Sequence, residues 1–153
     1  MSVELRLKKL GIVLPKALQP VANYAPYVRH GDLLYISGQG PCRADGTYPE
    51  GIVGYDINLE TAREHARLTG INILANVRDA IGGDWSQIQR IVKVFGMVRA
   101  APDFNDHPQV INGFSDLMVE VLGDRGRHAR SAVGMGSLPN KMTVEIEVLV
   151  AIK

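Results

Sequence analysis

The stretch His128–Val150, HARSAVGMGSLPNKMTVEIEVLV, sets one arginine and two glutamates in strand-like sequence that is otherwise small or apolar. It reads as a hairpin, two strands joined by a Leu138-Pro139-Asn140-Lys141 turn. Alternation in the second strand puts Val144, Ile146, Val148, Val150 and Ile152 on one face. Thr143, Glu145, Glu147, Leu149 and Ala151 fall on the other. The all-apolar set belongs under helices. The carboxylates then lie on a face that something else must cover, where an unpaired charge would cost roughly several kcal/mol. In the first strand Arg130, Ala132, Gly134 and Gly136 share a face. A planar bidentate donor above a floor of small residues suits a small carboxylate, with Glu145 free to handle a water or a proton. A structural ion pair between Arg130 and a glutamate fits these residues equally well.

Upstream, Val3, Leu7 and Leu10 recur at helical spacing and stop at Gly11, which predicts a short helix in an N-terminal extension over residues 1–14. Pro15, Pro20 and Pro26 mark an irregular approach to two strands, Tyr27-Val28-Arg29 and Leu33–Ser37, the second ended by Gly38-Gln39-Gly40-Pro41. A loop runs from Arg43 to Gly54. A long helix follows from Asp56 or Asn58, with Leu59, Ala62, Ala66, Gly70, Ile73, Val77 and Ala80 as its apolar stripe and Gly82-Gly83 as its stop. The small residues in its middle predict close packing on a sheet. Gln87–Arg99 is a strand apolar on both faces. A second helix begins at Asp106 or His107 and buries Val110, Phe114, Leu117 and Val121 before Gly123.

The order β-β-α-β-α-β-β predicts a single α+β domain over residues 1–153, one mixed sheet with two helices on one face. Two helices cover one side only, while several strands are apolar on both. The second face is therefore expected to pack against further copies of the chain.

Composition narrows the function. With 17 basic and 16 acidic residues among 153, the chain lacks the basic stripe of phosphate-backbone binding, which disfavours nucleic acid as a partner. A single cysteine, Cys42, precludes an internal disulfide and a thiolate metal cluster, and suits a reducing compartment. Glu4, Arg6, Lys8 and Lys9 interrupt any apolar leader, and no run of about 20 apolar residues occurs. A cytoplasmic protein with no membrane partner is expected. His30, His65, His107 and His128 show no metal-ligand spacing and are read as surface, turn or cap residues. The glycine pairs at Gly38/Gly40 and Gly134/Gly136 lack a strand–GxGxxG–helix context, so no dinucleotide site is expected. Neither a metal nor a cofactor is called for.

The segments Ala129-Arg130-Ser131-Ala132-Val133, Leu138-Pro139 and Val144-Glu145-Ile146-Glu147, preceded by Ala25-Pro26-Tyr27, Ile36-Ser37-Gly38-Gln39 and Asn112, resemble the YjgF/RidA family, also known as L-PSP endoribonucleases. The resemblance covers roughly residues 24 to 152, and its C-terminal motif is the more specific part. It implies a chorismate-mutase-like α+β fold assembled as a homotrimer with sites between subunits. The implied activity is hydrolysis of reactive 2-imino acids, formed from enamines, to 2-keto acids and ammonia. Position by position, Arg130 would bind the substrate carboxylate and Glu145 would orient or activate water. Tyr27, Ser37, Gly38, Asn112 and Ala132 would stand at other pocket positions. The chain departs from the family at Ala132, where cysteine is common, and at Gly134 and Gly136, where bulkier residues are usual. The N-terminal helix and the loop from Arg43 to Tyr55 look like additions. Two rival expectations follow: a non-catalytic trimer that binds a carboxylate metabolite, and a ribonuclease, which the near-neutral charge disfavours.

Overall fold

The computed structural model describes residues 1–153. Its longest helix, α2 (Leu59–Ala80), begins where Asn58 accepts a hydrogen bond from the Thr61 amide and ends at Gly82 and Gly83, both at positive φ. The second long helix, α3 (His107–Leu122), carries Pro108 in its first turn. Asp106 stands at its N-cap without a side-chain hydrogen bond. Val110, Phe114, Leu117 and Val121 are fully buried, the face that the spacing predicts. A short α1 (Val3–Lys9), capped by Ser2, buries Val3 and Leu7. No helix is long and apolar enough to cross a membrane.

Gly70, in the middle of α2, serves a helix–helix contact in place of the sheet contact expected of it. A Cβ on Gly70 would come within 2.8 Å of Leu117, and one on Gly113 would strike the backbone carbonyl of Arg63. They bring α2 and α3 together, helix on helix. Close approach of a helix to the sheet occurs instead under Gly96, where Ile111 of α3 fills the space of the missing side chain.

Five strands form one mixed sheet: β1 (Tyr27–His30), β2 (Leu33–Gln39), β3 (Ile88–Arg99), β4 (Ala129–Met135) and β5 (Val144–Ile152), in the order β1-β2-β5-β3-β4. The α+β architecture with α2 and α3 on one face is the expected one. The C-terminal hairpin is not formed. β4 and β5 do not pair with each other, because β3 lies between them, parallel to β4 and antiparallel to β5. Helix α3 is the crossover that a parallel β3–β4 pair requires. Residues 136–143 then cross the end of β3, through a turn at Pro139–Lys141 in which Asn140 and Lys141 take positive φ. β5 inserts between β2 and β3, and its apolar set, Val144 to Ile152, is at most 4% exposed. A strand that buries one complete face gains most from a central position, with covering helices and a partner on each side.

The face away from the helices is open. It presents Tyr35 of β2, Lys93, Phe95 and Met97 of β3, and Glu145, Glu147 and Leu149 of β5. Tyr35 is 48% exposed, and a shallow depression of about 350 Å³ lies among Tyr35, Phe95, Glu147 and Leu149.

Candidate functional site

Glu145 lies on the open face, opposite Met97 of β3. Beside it, β2 runs two residues further than its apolar pattern suggests and shifts register between Ile36 and Gln39. Gly38 sits in that irregular segment, and a Cβ there would stand 2.8 Å from Glu145 Oε2. Only glycine lets the carboxylate lie against the β2 backbone. Ser37 holds the segment down: its amide donates to Pro26 O at 3.0 Å and its hydroxyl to Ala25 O at 2.6 Å.

A cavity of about 150 Å³ opens at this point, lined by Tyr24, Gly38, Tyr48, Asn140, Met142 and Glu145. Leu18, Gln19, Pro20 and Val21 of the N-terminal approach also border it. Burial, reinforced by the charge of Glu147, raises the Glu145 carboxyl above its usual range. Burial pushes the Tyr48 phenol up to about 12, so it remains a neutral donor.

Arg130 lies elsewhere. On β4 it stands in register with Val94, which is fully buried under the helices. Its Nη1 donates to Ser115 Oγ at 3.0 Å and its Nη2 to Pro108 O at 3.1 Å, both on α3. Asn112 falls between these two positions on the same helix face. Ala132 is half-buried beside Gly96, against the core. Burial lowers the Arg130 pKa, opposed by the charge of Asp116. Arg130 takes part in none of the three ion pairs, which join Arg63 to Asp116, Arg67 to Glu120 and Arg127 to Asp124.

The chain therefore divides the expected residues into two groups. Gly38 and Glu145, with Ser37 next to them, belong to the open face. Arg130, Asn112 and Ala132 belong to the helix face at the β4 edge. Arg130 and Glu145 do not share a wall, since β3 separates their strands. Tyr27 joins neither group: its hydroxyl donates to Asp79 Oδ2 at 2.9 Å, near the end of α2.

Several participants escape a reading of the sequence. Tyr24, Tyr48 and Asn140 line the cavity from loops that carry no periodic signal. Two histidines, of which His128 is the one expected near the site, make side-chain contacts that the sequence does not announce. His65 Nδ1 lies 2.8 Å from Thr143 Oγ1, and His128 Nε2 lies 2.9 Å from Ser115 Oγ. For His128 a signal existed, because it precedes Arg130 by only two residues, just ahead of β4.

A family model described as "YjgF/chorismate mutase-like, putative endoribonuclease" matches residues 4–150, and the chain belongs to this family. Among solved structures it is similar to a protein of unknown function from Agrobacterium tumefaciens, at 46% identity and a TM-score of 0.92 over 99% of this chain and 92% of that one. Protein TCP17 of Trypanosoma cruzi is 37% identical over 97% of this chain and 92% of its own. A 2-iminobutanoate/2-iminopropanoate deaminase of Dermatophagoides farinae is 28% identical over 93% and 95%.

Proposed function

We infer that the chain hydrolyses small 2-imino acids to 2-keto acids and ammonia, in a homotrimer whose sites form between subunits. One observation carries this reading. Arg130 stands on an edge strand without a carboxylate partner, while Glu145 borders a cavity on the open face that a neighbouring copy would cover. Bringing the edge of one subunit to the open face of the next would unite the two groups. The family membership and the deaminase relative support the same reaction class.

The chemistry asks little of the protein. Water adds to the C=N carbon, a proton moves to nitrogen, the C–N bond breaks and ammonia leaves. No oxidation state changes, so no electron carrier enters the balance. A guanidinium would hold the substrate carboxylate through paired N–H donors. A glutamate whose pKa burial raises would take a proton from the attacking water and return it to the leaving nitrogen. Tyr48 and the Gly38 backbone would shape the pocket around the side chain.

The test couples the protein to a dehydratase that releases the imine from serine or threonine and follows keto-acid appearance. Acceleration by the wild type that Arg130→Ala abolishes is the expected result. Equal rates for wild type, Arg130→Ala and buffer would end this reading.

A further inference from the structure

A chain of hydrogen bonds runs from His128 through Ser115 to Arg130, and the hydrogen positions in it are determined. The Gly126 carbonyl can only accept, so its 2.6 Å contact with His128 Nδ1 places the ring hydrogen on that nitrogen. In the neutral ring Nε2 is then an acceptor, and the Ser115 hydroxyl, 2.9 Å away, donates to it. The lone pairs of Ser115 Oγ are thereby turned toward Arg130 Nη1, which donates at 3.0 Å. Burial, with the nearby Arg130 charge adding to it, holds the imidazole below its usual pKa and outweighs the opposing bond to Gly126. The neutral tautomer is the resting form at neutral pH.

The guanidinium is pinned once through each terminal nitrogen, to Ser115 Oγ and to Pro108 O. Both acceptors are neutral. Asp116, whose charge reaches Arg130, is itself bound to Arg63. Three of the five N–H groups and the whole positive charge remain for a ligand. A network serving packing alone would neutralise a half-buried arginine; this one orients it and leaves it unpaired.

We propose that Ser115 and His128 are positioning residues, which hold the Arg130 guanidinium in the orientation that receives a 2-keto or 2-imino acid carboxylate. The proposal rests on the reading of Arg130 given above. His128 acts through Ser115 and touches no substrate. Its role is to accept the hydroxyl hydrogen, so a side chain that accepts at the Nε2 position should replace it.

Calorimetry with 2-oxobutanoate tests this on the full chain, with thermal unfolding as a folding control. Ser115→Ala and His128→Phe should each weaken binding roughly ten-fold, the usual scale for one charge-assisted hydrogen bond. In turnover the loss should fall on KM. His128→Gln, whose amide oxygen stands near the Nε2 position, should bind as the wild type does. Ser115→Ala should add nothing in an Arg130→Ala background, because the hydroxyl acts only through the guanidinium. If Arg130→Ala loses the ligand while Ser115→Ala and His128→Phe keep it, the positioning role is overturned and the reading of Arg130 stands. If the wild type and Arg130→Ala bind alike, or neither binds, that reading fails and the positioning role falls with it. Should Ser115→Ala not fold, the contrast between His128→Gln and His128→Phe decides.

Discussion

Arg130 and Glu145 lie on opposite faces of one sheet, on strands separated by β3, hence about 10 Å apart across the sheet alone. Within a single chain they cannot act on one small molecule. Joined between neighbouring copies, each subunit would supply half of two different sites.

Subunit mixing tests that geometry. Arg130→Ala and Glu145→Gln should each be inactive alone. Random mixed trimers should recover about a quarter of wild-type activity, since that share of sites pairs an intact arginine with an intact glutamate from the next subunit. Refolding equal amounts together and assaying keto-acid release measures it. A mixture as inactive as its components would place the site within one subunit.

Glu145→Gln should separate binding from turnover. Removing the proton carrier should lower turnover about 10²-fold or more, while affinity for 2-oxobutanoate changes little. The same substitution relieves a carboxylate that burial and Glu147 disfavour, so unfolding temperature should rise by about 1–3 °C. Scanning calorimetry and the coupled assay together check both halves. Unchanged turnover would remove Glu145 from the proton relay.

Acidification should destabilise the fold through two histidines. Burial is the main cause holding both His65 and His128 below the usual imidazole value of 6.5. Between the folded and unfolded values the unfolded chain binds more protons, so stability is full above about pH 6.5 and falls as pH drops through that window. Glu145 works in the opposite direction: its raised carboxyl pKa makes the folded state the better proton binder just above the ordinary glutamate value. Urea unfolding at pH 7.5, 6.5 and 5.5 should show the loss, and His65→Gln with His128→Gln should flatten it. A wild-type profile level across this range would contradict the assignment.

The crossing of α2 and α3 should tolerate no side chain at Gly113. A methyl group there meets the Arg63 backbone carbonyl, which cannot swing aside, and Gly113→Ala should cost about 3 kcal/mol or more. Gly136, with nothing within 4 Å, is the control: Gly136→Ala should stay within about 0.5 kcal/mol of wild type. Chemical denaturation of both variants gives the comparison.

Much of the fold was legible in local patterns. The stripe of α2, the core face of α3 and the alternation of β5 follow from periods of 3.6 and 2, which chemistry writes along the chain. Which face of a strand is buried is therefore a local property. Which strand lies beside it is not. Two strands eight residues apart look like a hairpin, but the decision between pairing with each other and flanking β3 rests on α3 returning β4 parallel to β3. That long-range geometry moved Arg130 onto the helix face, away from Glu145.

The site divides along the same line. Sequence alone determined the element types, the apolar faces and the chemically unusual Arg130 and Glu145, because composition and periodicity are carried by each residue and its near neighbours. Tertiary structure alone decided that Gly38 would lie against Glu145, that loops would bring Tyr24, Tyr48 and Asn140 to the cavity, and that Ser115 would join His128 to Arg130. Gly38 and Glu145 are 107 positions apart, and Ser115 lies 13 from His128 and 15 from Arg130; strand order and helix docking join them, and no local period encodes them.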